Sequence, residues 1–313
     1  MDNSRKQPAV CDLLIVGTIV TMDDNNTVIE NGAVIVSGDS IADIGSAADL
    51  EKKYQAKETI DLPRGIVMPG LINAHAQIMP PEESMVTGEA AYRAAFPAIV
   101  QMIRTGTTSF CTMSVRTREI APTVENVGIR YWPDEVLSDS TSTYAELEEA
   151  FCTQEAKMVH CPCSSLNQAS CLAPIPELLS RNVKVGLGTG TDSKQNYDMF
   201  AVMDINSKLH KVHTLDPTVM TARQTLYMAT RGGAEVLGVD HLIGTIEVGK
   251  KADLIVLDFD QAHLTPVYDI PSHLVYAARG SDVVHSIING RIVMRGRQLI
   301  SIDNVEISSN YSL

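Results

Sequence analysis

Two side chains with chemical potential stand two positions apart in Pro69-Gly70-Leu71-Ile72-Asn73-Ala74-His75-Ala76-Gln77. An imidazole such as His75 at a strand end can bind a metal or move a proton, whereas the neutral amide of Gln77 is a poor ligand for zinc or iron. A second imidazole, His160, leads into Cys161-Pro162-Cys163. It either stacks on or hydrogen-bonds a heterocycle, or simply caps a loop. Cys161 and Cys163 with His75 could hold a soft metal, but cysteine more often serves as a small buried apolar residue. Asp134 and Glu135 end a short strand-like run, and Asp192 closes Leu187-Gly188-Thr189-Gly190-Thr191-Asp192. Such carboxylates can take up and return protons during hydrolysis, and a solvated turn is the competing reading. His210 and His213 read as favourable charges near a helix C-terminus. Asp198 reads as a helix cap rather than a catalyst.

These groups need strands and helices to hold them. Candidate strands cover 66–75, 107–113, 129–133, 157–161 and 183–189. Candidate helices cover about 89–104, 118–127, 144–155, 174–181, 198–212 and 221–237. Pro174 and Pro176 sit where helix-opening prolines belong, and Thr221 is placed to cap the helix after it. Strand–helix alternation of this kind predicts parallel strands.

The two ends of the chain have a different texture. Asp12-Leu13-Leu14-Ile15-Val16 and Ala33-Val34-Ile35-Val36 are β-branched runs punctuated by Asp24-Asn25-Asn26, Asn31-Gly32 and Ser37-Gly38-Asp39. The C-terminal part repeats this in Asp253-Leu254-Ile255-Val256-Leu257 and in Val283 to Val293, where Asn289-Gly290 is a hairpin signal. Two β-rich ends around an α/β middle predict that the ends meet in one small β domain.

A chain of 313 residues with net charge −13 is long enough for one large domain and a smaller partner. The acidic balance argues against nucleic acid and against anionic membranes as partners, since both require a basic face. The opening residues lack the apolar core of a signal peptide, and no stretch is apolar enough to span a bilayer. The six cysteines are scattered, unlike a secreted disulfide framework. The resulting expectation is a cytoplasmic protein with reduced thiols.

Several blocks resemble the amidohydrolase superfamily, in the branch of the methylthioadenosine/S-adenosylhomocysteine deaminases and the triazine hydrolases. They are Val67 to Gln77, Gly106-Thr107-Thr108-Ser109, Val159-His160-Cys161-Pro162 with Ser165-Leu166-Asn167, Leu187-Gly188-Thr189, and Gly244 to Leu254. The resemblance implies a (β/α)₈ TIM-like barrel with a composite β-sandwich domain, here residues 1–65 and 238–313 around a barrel at 66–237. That middle is short for a barrel of about 250 residues, and the fourth, fifth and sixth strands are the ones without a counterpart. The fold class is therefore α/β, an incomplete or re-closed barrel. Its exposed edges make a homodimer plausible.

The resemblance also implies metal-assisted hydrolysis at C–N bonds of a small molecule, with one divalent metal, zinc or iron. His75 matches the first ligand of a His-x-His pair and Gln77 occupies the second position. Asp192 is the displaced counterpart of the last-strand Asp. The remaining ligand histidines fall in the missing region. The candidate set is thus His160, Asp192 and Glu135 for catalysis, Gln77, His160 and Asn167 for substrate, and His75 and Asp192 for metal. Three functions stay open. One is a deaminase-like hydrolase of a purine nucleoside or other N-heterocycle with a reduced metal site. The others are a non-catalytic ligand- or partner-binding relative and a metal-free acid–base enzyme.

Overall fold

The computed structural model describes residues 7–78, 88–112, 117–133, 157–170, 172–190 and 196–300. The β-branched runs from both chain ends pair with one another. Near the N-terminus lie β1 (Ala9–Val20), β2 (Val28–Ser37), β3 (Ser40–Ser46) and β4 (Tyr54–Pro69), with helix α1 (Ala47–Lys53) between the last two. Near the C-terminus lie β10 (Leu254–Asp258), β11 (Val283–Ile288), β12 (Arg291–Arg295) and β13 (Gln298–Leu299). Hydrogen bonding joins them in one eight-stranded sheet of order β13-β12-β11-β10-β4-β1-β2-β3. The join between the two ends is the antiparallel pair β4–β10, with Val67 opposite Val256.

Alternation along these strands divides the apolar side chains between two faces. Leu13, Ile15, Val34, Val67, Leu254 and Val256 share one buried cluster, while Leu14, Ala33 and Ile35 pack with Leu50 of α1 in another. Each fully buried side chain of this size contributes about 1.5–3 kcal/mol. Asn289 and Gly290 turn the β11–β12 hairpin with φ of 53° and 74°, as expected for a primed turn. Asn31-Gly32 behaves differently from a turn. It lies inside β2, where Asn31 has φ 48° and the β1–β2 register shifts by one residue, making a bulge.

Five parallel strands form the second unit. They are β5 (Leu71–Asn73), β6 (Thr107–Thr112), β7 (Arg130–Pro133), β8 (Lys157–His160) and β9 (Lys184–Leu187). The pairs β6–β7 and β8–β9 are regular ladders, and β5–β6 shifts register between Leu71 and Ile72. The segment after β5 links them: Ala74 N–H donates to Leu187 O at 2.9 Å, Gly190 N–H to His75 O at 3.0 Å, and Ala76 N–H to Cys111 O at 2.8 Å. The spatial order is β8-β9-β5-β6-β7, with β5 in the middle. Among the described residues no strand closes the gap between β7 and β8.

The sequence run 66–75 thus serves two sheets. It pairs with β10 up to Pro69 and joins the five-stranded unit from Leu71. Gly70 makes the transition because a Cβ there would lie 1.9 Å from Thr108 Oγ1. A second link is ionic. Arg130 at the start of β7 gives Asp253 two hydrogen bonds, from Nε at 2.7 Å and Nη2 at 2.8 Å, and Asn289 N–H donates to the same carboxylate at 2.8 Å.

Helices follow the strands as the alternation predicts. They are α2 (Gly88–Arg104), α3 (Thr117–Val127), α4 (Pro162–Asn167), α5 (Ile175–Ser180), α6 (Met199–Thr214), α7 (Ala222–Ala229) and α8 (Arg231–Leu237), with α9 (Ile270–Tyr276) beyond β10. The expected helix over 144–155 lies outside the described residues. The single helix expected over 221–237 is two, broken at Thr230, where φ is −127° and ψ −96°. Thr221 opens the first of them with a capping box: its Oγ1 accepts from Gln224 N–H at 3.3 Å, and Gln224 Oε1 accepts from Thr221 N–H at 2.9 Å. No described helix is long and apolar enough to cross a membrane.

Candidate functional site

The C-terminal ends of β8 and β5 bring His160, His75 and Gln77 to one end of the five-stranded unit, where barrels keep their chemistry. His75 and Gln77 follow β5 and are half-buried. Their backbone is pinned between neighbours, with Gln77 N–H donating to Gly190 O at 3.3 Å and Tyr197 Oη donating to Gln77 O at 2.8 Å. Gly188 makes this seam possible, since a Cβ on it would come within 2.8 Å of His75 O and 2.9 Å of His75 N.

Asn73 and Thr189 lock the same seam from inside. Asn73 is fully buried; its Nδ2 donates to Thr189 Oγ1 at 3.0 Å and its Oδ1 accepts Thr189 N–H at 3.1 Å. Neither residue figured as a site residue from the sequence. The signal available was a polar amide inside an otherwise apolar strand, which must find partners when buried.

His160 ends β8, one strand beyond β9, and is 3% exposed. It is two strand spacings from the β5 segment that carries His75, about 10 Å of backbone. The two imidazoles therefore share an end of the sheet, on strands separated by β9. His160 faces His210 of α6, with 3.2 Å between the two Nε2 atoms. Burial pushes the His160 pKa down to about 3, with the neighbouring His210 adding to the effect. Burial likewise holds His210 down at about 4, and His213 adds to it. Both rings are neutral in the ordinary pH range.

His210 corrects the reading of the α6 histidines as helix-end charges. It is 1% exposed and turned inward, and only His213 is exposed. The sequence hid this because positions 210 and 213 sit at a helix end where a solvated cation is the ordinary outcome, and the contact with His160 spans fifty residues.

Asn167 ends α4 and is exposed. Asp192, Asp134 and Glu135 lie outside the described residues. Asp198 is the N-cap of α6: its Oδ1 accepts Phe200 N–H at 2.9 Å and its Oδ2 accepts Gly280 N–H at 3.3 Å. Cys161 and Cys163 are free thiols, and burial raises the Cys161 thiol to about 12, as expected of an inert protonated side chain. Glu235, a buried carboxylate on α8, is bound by Lys184 at 2.7 Å, Arg231 at 2.8 Å and Tyr227 at 2.6 Å. It lies toward the N-terminal end of β9, where such groups stabilise the fold.

The donors present test whether a catalytic metal fits. Such a zinc needs three protein ligands and an open position. His75 is half-buried beside the neutral amide of Gln77, and among the described residues no three His, Cys, Asp or Glu side chains converge where an ion could sit. This set does not fit a three-ligand zinc, and no chemical step is assigned to a metal.

Comparison with known proteins supports the fold and the lineage. The model of the amidohydrolase family matches residues 66–154 and 136–293. A Syntrophobacter fumaroxidans protein named 5-methylthioadenosine/S-adenosylhomocysteine deaminase is 32% identical, over 95% of this chain and 96% of its own length. That alignment runs to 419 positions against a 313-residue chain, so more than a hundred of them face no residue here. A Methanosarcina barkeri protein named 5'-deoxyadenosine deaminase is 28% identical, over 92% of this chain and 94% of its own. A crystal structure of a Xanthomonas campestris adenosine deaminase with bound zinc superposes with a TM-score of 0.84 at 24% identity, covering 97% of each chain. A triazine hydrolase variant superposes with a TM-score of 0.80 at 17% identity, over 95% of this chain and 98% of its own. The fold these neighbours share is the TIM-like α/β barrel; among the described residues of this chain its sheet is not closed. With its family model matched over most of its length and its strand-end blocks in family order, the chain belongs to the amidohydrolase family.

Proposed function

We propose that this protein is a deaminase-like hydrolase of a purine nucleoside or related N-heterocycle, working with a reduced metal site. The single observation that carries the reading is the 32% identity, over nearly the whole chain, to a protein named as a methylthioadenosine/S-adenosylhomocysteine deaminase. The geometry of the β8-β9-β5 seam supports it. A neutral His160 at a strand end can donate to or accept from a heterocycle without introducing charge, and His75 two strands away can serve as ligand or proton carrier. Gln77 and Asn167 complete the proposed substrate contacts, and Asp192 and Glu135 the proton-handling carboxylates. The reduced site of this reading is one divalent metal, zinc or iron, on fewer than the usual three protein ligands, with His75 and Asp192 holding it; a protein with no metal is the alternative. In the same reading residues 1–65 and 238–313 form one β domain around a shortened barrel at 66–237, and the protein is a cytoplasmic homodimer.

Deamination replaces an exocyclic amine by oxygen from water, and the leaving amine must gain a proton. Ammonia release from methylthioadenosine, adenosylhomocysteine or 5'-deoxyadenosine tests this directly. Turnover of one of them, reduced about a hundredfold or more by His75→Ala, is the expected result. No turnover of any of the three, with a nucleoside still bound, would overturn it in favour of a ligand-binding relative. Turnover in metal-free protein would instead assign the chemistry to acid–base groups alone.

A further inference from the structure

His210 has no part in the proposed chemistry, yet it is the partner that His160 faces. The rings are tilted by 48° with centroids 5.1 Å apart, so the contact is a nitrogen-to-nitrogen hydrogen bond at 3.2 Å and not a parallel stack. A neutral imidazole carries one ring proton. One Nε2 must donate and the other accept, so the two rings must hold opposite tautomers. Burial of both, at 3% and 1% exposure, keeps them neutral and keeps water from taking either partner's place.

Neither ring can drift away from this contact. His160 O accepts Gly188 N–H at 3.0 Å, which ties the end of β8 to β9. Around His210, α6 is anchored on both sides. Ser207 Oγ donates to Met220 O at 2.6 Å, and Lys211 Nζ donates to Ser207 Oγ at 2.8 Å, Met220 O at 2.8 Å and Tyr276 Oη at 3.0 Å.

We infer that His210 is the positioning residue of His160, fixing its ring orientation and tautomer and so deciding whether His160 offers a heterocycle a donor or an acceptor. If His160 donates to His210, its Nδ1 is a bare acceptor and selects a substrate N–H. If His160 accepts, its Nδ1 carries the proton and selects a ring nitrogen. The inference rests on the proposed role of His160 toward substrate, but the tautomer pairing stands apart from it.

The test uses the full chain with ¹⁵N-labelled histidine. Ring-nitrogen spectra at pH 7 should show His160 and His210 as opposite neutral tautomers. In His210→Leu, which fills space without hydrogen bonding, His160 should become a tautomer mixture. KM for the nucleoside turned over should rise about tenfold, with kcat changed less than about threefold. His210→Gln can donate or accept through its amide and should restore one tautomer, with KM within about threefold of the parent. Like tautomers in the parent protein, or equal effects of Leu and Gln on both readouts, would overturn the inference and leave His210 a packing residue. Should His210→Leu not fold, the parent spectrum and His210→Gln decide. An enzyme inactive on every nucleoside would sink the proposed function, while the spectra still judge the pairing.

Discussion

The eight-stranded sheet and the five-stranded unit are built from similar β-branched runs, but their boundaries differ. In the sheet every strand from β12 to β2 has neighbours on both sides, and the edges are the short β13 and the seven-residue β3. Among the described residues the five-stranded unit has β7 and β8 at its edges. The candidate residues sort by this difference. His75, Gln77, Asn73 and Thr189 lie on the inner strands, whose hydrogen bonds hold them from both sides. His160 lies on β8, at an edge among the described strands, and there the side chain of His210 is its partner. At this edge of the described sheet a packed helix meets the strand-end group.

The largest expected effect comes from cutting the link between the two units. Arg130→Ala leaves the buried Asp253 carboxylate without its cation, and should lower unfolding free energy by about 3–5 kcal/mol in denaturant titrations. Hydrogen exchange should then quicken in β7 before β1 or β4. Uniform loosening of both units would show that they do not differ in stability as the edges suggest.

Acid should act next. Burial holds the folded-state pKa of His160 and His210 at about 3 and about 4, below the unfolded value near 6.5. The unfolded chain therefore takes up more protons as pH falls. Stability is full above about pH 6.5 and is lost progressively from there toward pH 4 to 3. Between pH 7 and pH 5 the loss should be on the order of 2–4 kcal/mol. The double change His160→Leu with His210→Leu should flatten that part of the curve, and an unchanged slope would place the acid sensitivity elsewhere, with His285 the next buried imidazole.

The smallest expected effect sharpens the contrast within the five-stranded unit. Asn73→Ala removes two hydrogen bonds and strands Thr189, at about 1–3 kcal/mol. Thermal unfolding should register it as a lower Tm. A neutral result would mean that the β9–β5 seam depends on its backbone bonds alone.

Much of the architecture was legible because local physics decides it. The β-branched runs around Leu13 and Val34 marked strands, Thr221 announced its helix, and Asn289-Gly290 announced its hairpin. The readings that shifted depended on distant contacts. Asn31-Gly32 has the chemistry of a turn, but pairing with β1 absorbs it as a bulge. The run 66–75 looked like one strand, and only the approach of Thr108 to Gly70 divides it between two sheets. His210 had the sequence context of a surface charge, and only the packing of α6 against β8 turned it inward.

From the sequence alone followed the family, the parallel α/β middle and a His75 with a neutral Gln77 where the family has a second histidine. These depend on residue type, spacing and order, which the chain carries without folding. Tertiary structure decided which polar groups meet: Asn73 with Thr189, Arg130 with Asp253, and His160 with His210. Each pair joins residues more than forty positions apart, and burial, which neither partner's neighbours predict, is what makes their hydrogen bonds obligatory.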